Sequence, residues 1–215
     1  MAQVISIKDS AKPVRRTAGD VAFGKALISV NTLVPLAFIL YDWSRGRLGA
    51  NPIEFFLRAT GVLTLTFLLI TLAVTPLRKL TGRNELVKYR RMLGLYVFFY
   101  ACLHLVTYSI FDQSLDLPAI VADVIQRPFI AVGMAAFLML VPLAVTSTNG
   151  WVKRLGGKNW SRLHKLSYVI AAFGVIHFWM IVKSDVFYPV LFGLALLALL
   201  GWRIWKWLDA RKPIT

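Results

Sequence analysis

The chain has 215 residues, 58% of them hydrophobic and 16% charged, and its mean hydropathy is +0.65. Its 25 Lys and Arg outnumber its 10 Asp and Glu, giving a formal net charge of +15. A soluble nucleic-acid binder carries such a charge on far more charged residues, and the hydrophobicity excludes a disordered basic tail. The composition therefore points to a membrane protein whose few charges are mostly positive.

The chain opens with a basic, polar segment, residues 1–22, which has no apolar run directly after its basic residues. It reads as a cytoplasmic tail and not as a cleavable signal peptide. Six apolar stretches follow, at 23–41, 53–74, 92–111, 128–147, 166–182 and 186–202, each close to the roughly 17–25 residues that cross a bilayer as a helix. Pro76 is expected to end the second span and Asn149-Gly150 the fourth, and Pro128 suits the first turn of the fourth. Pro35 and Pro142 fall inside spans, where neighbouring helices accommodate a kink. The last two spans are separated only by Lys183-Ser184-Asp185, a tight helical hairpin. The expected fold is all-α: an integral membrane bundle of six transmembrane helices over 23–207, with a short tail at 208–215. No internal repeat is evident, and the lone Cys102 forms no internal disulfide.

Charge sorts by side. Five Lys/Arg lie between the start and Lys25, and six in the second-to-third connection: Arg78, Lys79, Arg83, Lys88, Arg90 and Arg91. Five more lie in the fourth-to-fifth connection (Lys153, Arg154, Lys158, Arg162, Lys165), and four at the C-terminal end (Arg203, Lys206, Arg211, Lys212). All 20 fall on one side of a six-span bundle, against Arg45, Arg47, Arg58, Arg127 and Lys183 on the other. Cytoplasmic loops carry the excess of Lys and Arg, so both termini are expected in the cytoplasm and the protein in an inner membrane of bacterial type.

His104 lies inside the third span and His177 inside the fifth, and ionisable residues at membrane depth mark functional sites. Singly, each is equally well explained as a neutral imidazole bonded to a helix neighbour. Their depths can be compared. His104 is 13 residues past Arg91 and eight before Asp112, while His177 is 12 past Lys165 and eight before Asp185. At about 1.5 Å per residue both sit roughly 18–20 Å above the basic border, level with each other in the outer half of the membrane. Two level histidines on two helices suit axial ligation of a haem iron. With no Cys-x-x-Cys-His motif the haem would be of the non-covalent b type. A zinc site lacks a third ligand at that depth.

His164 stands at the basic mouth of the fifth span, beside Trp160, Arg162 and Lys165. The residues 13 and 14 before His104 are Arg91 and Arg90, which cannot ligate iron, so no partner for a second haem is evident. On a straight helix, His164 and His177 would also face about 220° apart. Three roles stay open for His164: a second haem ligand, a quinone or flavin contact, or an interfacial polar residue. Trp and Tyr cluster as interfacial belts. Phe98, Phe99, Tyr100, Phe178 and Trp179 flank the histidines, and Gly94, Ala101 and Gly174 are small enough for a flat macrocycle to approach. No Gly-x-Gly-x-x-Gly element exists, so the chain holds no nucleotide-binding domain of its own. A proton or solute transporter using the buried histidines is the rival class, although no Asp, Glu, Lys or Arg lies at the centre of a span.

Several longer segments carry a resemblance: TPLRKLTG at 75–82, YRRMLGLYVFFYACLHLVTY at 89–108, RPFIAVGMAAFLMLVPLAVTST at 127–148, RLGGKNWSRLHKLSYV at 154–169 and IHFWMIVKSD at 176–185. They are similar to the MsrQ (YedZ) family, haem-binding membrane subunits of the bacterial periplasmic methionine-sulfoxide reductase system, within the ferric-reductase-like transmembrane domains. The resemblance implies electron transfer with haem b and FMN. The electrons would come from the quinone pool or a cytosolic flavin reductase and go to a periplasmic molybdopterin-containing catalytic subunit of the MsrP type, which repairs oxidised methionine in proteins. It carries the family's histidines onto His104, His164 and His177, and the FMN site onto no particular residue. Membrane lipids are the other expected partner, and nucleic acid is not.

Overall fold

A computed structural model of the chain describes residues 17–182 and 184–211. The basic residues before Thr17, together with Lys183 and Lys212, lie outside the described residues. Within them the protein is all-helical. The helices are α1 (Ala18–Ser44), α2 (Pro52–Thr81), α3 (Val87–Thr107), α4 (Leu117–Gln126), α5 (Pro128–Val145), α6 (Asn149–Leu155), α7 (Gly157–Leu163), α8 (Leu166–Ile181) and α9 (Phe187–Asp209). A short 3₁₀ turn, Asn84–Leu86, leads into α3, and a π-helical turn, Tyr108–Asp112, extends it. Six segments are long and apolar enough to cross a membrane: α1, α2, Asn84–Asp112, α5, Gly157–Ile181 and α9. These match the six spans expected from sequence.

The helix starts follow from local chemistry. Thr17 and Asp20 form a reciprocal capping box on α1. The Asn51 side chain accepts from the Glu54 N–H at 3.1 Å, with Pro52 in the first turn of α2. Pro128 likewise stands in the first turn of α5, which has no side-chain cap.

Two expected boundaries are corrected. Pro76 does not end the second span. Helix α2 runs through it to Thr81 and stops at Gly82, whose φ of 68° is the left-handed conformation that glycine adopts without penalty. A proline inside a helix leaves the carbonyl four residues earlier without its N–H donor. Here that carbonyl belongs to Leu72, and the Arg203 guanidinium donates to it at 2.6 Å. Nor does Asn149-Gly150 terminate the fourth span. Helix α5 ends at Val145, and Asn149-Gly150 begin α6, capped by the Thr148 side chain.

Helix α2 is the centre of the bundle. It pairs most closely with α3, and α5 pairs with α8, while α9 packs on α2 and α8. The core where these meet contains Leu68, Leu69 and Leu72 of α2, Val97 and Ala101 of α3, Leu140 and Leu143 of α5, Ile170 and Ala171 of α8, and Leu196 of α9. Helix α1 lies outside this core against α3, joined by the buried Tyr100 hydroxyl, which donates to the Thr32 carbonyl at 2.6 Å. Hydroxyls inside the spans donate back to carbonyls one turn earlier, as Thr60 does to Phe56, Thr71 to Phe67 and Thr146 to Pro142. Lipid offers them no other partner.

Both ends of the bundle hold charge by ion pairs and by cation–ring stacking, since Arg45 and Arg47 also lie over Tyr41 and Lys206 also pairs with Asp209. At the end carrying Arg45 and Arg127, arginines pair with carboxylates: Arg47 with Asp42, Arg58 with Glu54 and Arg127 with Asp123. At the basic end, cations lie over aromatic rings, including Lys79 on Trp202, Arg154 on Trp151, Lys206 on Trp205 and Arg211 on Trp207. This is an aromatic belt with cations stacked on it, as expected at a membrane–water border.

Candidate functional site

The structure brings His104 of α3 and His177 of α8 together in the bundle interior. Their ring centres are 6.2 Å apart, and their planes stand at 88°. His104 Nδ1–H donates to the Leu57 carbonyl of α2 at 2.9 Å, and His177 Nδ1–H donates to the Phe129 carbonyl of α5 at 2.7 Å. A carbonyl can only accept, so both rings carry their proton on Nδ1 and present a lone pair at Nε2. No described residue hydrogen-bonds to either Nε2.

Two imidazoles of this kind, each oriented by a hydrogen bond through its other nitrogen, form a donor set that can hold a metal ion. The separation fits. A ring nitrogen bound at about 2 Å, and lying about 1.1 Å from its ring centre, places two trans imidazole centres about 6 Å apart. Among the described residues no cluster of three or more His, Cys, Asp or Glu forms, so a zinc site has no ligand set here. A centre completed by a planar tetradentate macrocycle needs only the two axial donors.

Each ring is admitted by a glycine absent from the sequence reading. A Cβ on Gly61 of α2 would lie 3.1 Å from His104 Cε1, and one on Gly133 of α5 would lie 2.8 Å from His177 Nδ1. The usable signal was a glycine inside the long apolar run of the helix paired with each histidine helix. The small residues named from sequence do other work. Ala101 is in the core, Gly94 lines a cleft at the basic end, and Gly174 faces Leu65. Tyr100 stacks on Phe67 and bonds to α1, away from the histidines' own hydrogen bonds.

His164 lies apart from this pair. It falls where the fifth span breaks between α7 and α8, so the straight-helix rotation does not apply to it. Its ring stacks on Trp160 at 3.8 Å, its Nδ1–H donates to the Trp160 carbonyl at 3.1 Å, and its Nε2 is 3.5 Å from the Ser147 hydroxyl. It lines an interior cleft of about 170 Å³ together with Arg90, Arg91, Trp160, Lys165 and Tyr168. Arg91 is tied to Asn149 and lies over the Trp160 ring.

At the opposite end, Asp123 of α4 accepts from the Tyr108 hydroxyl at 2.9 Å and from Gln113 Nε2 at 2.7 Å, and pairs with Arg127 at 3.2 Å. This pins the amphipathic α4, which the sequence reading missed, over the end of α3.

Fold and site together define a multi-pass membrane protein with a paired-histidine centre in its interior. The family model for the ferric reductase like transmembrane component matches residues 57–175, which include Leu57, His104, Phe129 and His164 and stop two residues before His177. The chain is 50% identical over 191 residues to the protein-methionine-sulfoxide reductase heme-binding subunit MsrQ of Herminiimonas arsenicoxydans, covering 87% of this chain and 88% of that one. It is 46% identical over 203 residues to the protein of the same name from Xanthomonas euvesicatoria pv. vesicatoria, covering 92% and 93%. The chain belongs to the MsrQ family, within the ferric-reductase-like transmembrane proteins. It is a multi-pass protein of the bacterial inner membrane.

Proposed function

We propose that this chain is a b-type cytochrome subunit, with His104 and His177 as the axial ligands of one haem. The paired imidazoles, 6.2 Å apart with each Nδ1 proton held by a carbonyl, are the observation that carries the reading. When bound, the haem supplies one-electron transfer without substrate chemistry, because two axial histidines leave no open position on the iron. The chain's own residues fix the tautomer of each ring and hold the two rings close together. The same hydrogen bonds argue against a proton relay. A relay histidine takes a proton on one nitrogen and releases it from the other, whereas here both Nδ1 protons are committed to backbone.

Direction follows from the charge pattern. With the basic end in the cytoplasm, both termini are cytoplasmic and the histidine pair lies in the outer half of the membrane. It is then eight residues, about 12 Å, from Asp112 and Asp185 at the periplasmic border. We assign the electron acceptor as a periplasmic molybdopterin methionine-sulfoxide reductase of the MsrP type. The donor is the quinone pool or a cytosolic flavin reductase. The relatives' names, which couple haem binding to methionine-sulfoxide reduction, support this reading.

The cleft around His164 is the proposed entry point. Arg90, Arg91 and Lys165 supply positive charge, and the stacked Trp160–His164 pair supplies a flat wall. At about 170 Å³ it is smaller than the roughly 300–1,000 Å³ pockets that enclose drug-sized ligands. It suits a quinone head group or the phosphate end of FMN better than a whole flavin. The test of function is delivery. The detergent-extracted chain, chemically reduced under anaerobic conditions, should be reoxidised by the catalytic partner plus methionine sulfoxide. A chain that stays reduced in their presence contradicts the proposal.

A further inference from the structure

We infer that Gly61 and Gly133 are positioning residues, which seat the two histidine rings on backbone carbonyls and so fix the right angle between the imidazole planes. The inference rests on the haem reading above.

The two seats are built alike on separate helix pairs. In each, a helix offers a carbonyl at position i and a glycine at i+4, and the histidine comes from the neighbouring helix. Leu57 and Gly61 of α2 receive His104, and Phe129 and Gly133 of α5 receive His177. Each carbonyl faces the N–H four residues on within its helix and also takes the histidine; at Leu57 the Thr60 hydroxyl, shared with the Phe56 carbonyl, lies 3.0 Å away as a further donor. A side chain at i+4 would obstruct this, because the Cα–Cβ bond of a helix leans toward the N-terminus and so over that carbonyl. Of the 14 glycines, only these two would place a Cβ against an imidazole.

The seats differ in tightness. At Gly61 the Cβ would lie 3.1 Å from Cε1 and 3.2 Å from Nδ1, which a small shift relieves. At Gly133 it would lie 2.8 Å from both Cε1 and Nδ1, closer than real Cβ atoms come. The obstructed group is a ring held by a hydrogen bond and by packing, not the free end of a flexible side chain. It must therefore leave its carbonyl or push α8 away from α5. By contrast, a Cβ on Gly201 of α9 would meet nothing within 4 Å.

The consequence is electronic. An imidazole whose Nδ1–H is bonded to a carbonyl is a more basic ligand, which favours the oxidised iron and lowers the potential. Trans imidazoles with perpendicular planes leave the iron orbitals nearly degenerate. The ferric electron paramagnetic resonance spectrum is then a single low-spin feature at large g, and not the three-line signal of parallel planes.

The experiment compares haem-loaded wild type, Gly61→Ala, Gly133→Ala and Gly201→Ala in detergent, by that spectrum and by redox titration. Wild type and Gly201→Ala should share the large-g feature and one midpoint potential. Gly61→Ala should move the feature to smaller g and raise the potential, and Gly133→Ala should do so further. Loss of haem from Gly133→Ala, with Gly61→Ala shifted but loaded, is the same gradient carried further. A three-line signal in wild type, or Gly61→Ala and Gly133→Ala indistinguishable from Gly201→Ala, overturns the inference while leaving the haem reading intact. A wild type without haem overturns both.

Discussion

The Arg203 guanidinium donates to the Leu72 carbonyl at 2.6 Å, and that carbonyl lacks its helical donor because residue 76 is proline. The guanidinium also lies over the Tyr168 ring, 4.6 Å from its centre. One side chain thus ties α9 to the central helix at the point where that helix is weakest. Arg203→Met should lower stability by about 1–3 kcal/mol, because it leaves a buried carbonyl unpaired. Adding Pro76→Ala restores an N–H to the same carbonyl, so the double variant should recover much of the loss, a coupling of roughly 0.5–3 kcal/mol. Thermal unfolding in detergent measures both, and strictly additive effects would show that the arginine is not replacing the missing donor.

His164 should separate from the histidine pair by its phenotype. If its cleft is the entry point, His164→Ala keeps the haem but slows its reduction by the cytoplasmic donor. A roughly tenfold loss corresponds to about 1.4 kcal/mol on the barrier. Stopped-flow reduction of the wild type and the variant reads this directly. Haem loss as complete as in His104→Ala would make His164 a ligand instead.

Asp123 holds three donors at the end of α3. Asp123→Ala should leave Tyr108 and Gln113 without their acceptor, at a cost of about 1–3 kcal/mol. Faster hydrogen exchange should be confined to the π-helical turn and α4, with the haem spectrum unchanged. Exchange that rises equally through α5 and α8 would place Asp123 in the global core rather than in a local clasp.

Much of this was readable in the chain. Bilayer thickness imposes a minimum run length, so six apolar stretches gave six spans. The comparison of His104 and His177 by depth needed only the rise per residue of a helix and the fixed border at Arg91 and Lys165. What escaped were features set by partners distant in sequence. Pro76 looks like a terminator locally, and only Arg203, 127 residues later, makes the continued helix tolerable. The carbonyls of Leu57 and Phe129 have no signature at all, since every residue has one, and Gly61 and Gly133 are ordinary glycines until a neighbouring helix brings a ring against them. Asn149-Gly150 read as a stop, but Thr148 just before it is a helix cap, and the cap prevailed.

Orientation is testable with single cysteines in a Cys102→Ser background. Ser114→Cys should react with a membrane-impermeant thiol reagent added to the periplasmic side. Lys158→Cys should react only after the membrane is opened. The reverse pattern would invert the topology and place the histidine pair near the cytoplasm, away from a periplasmic acceptor.

In the proposed function His104 and His177 together hold one haem. The most direct measurement is the reduced-minus-oxidised spectrum of the purified protein, with haem quantified per chain, for wild type, His104→Ala and His177→Ala. The wild type should show a Soret band that shifts on dithionite reduction, and each single variant should lose that haem, since neither imidazole substitutes for the other. A colourless wild type, or a spectrum unchanged when either histidine is removed, would contradict it.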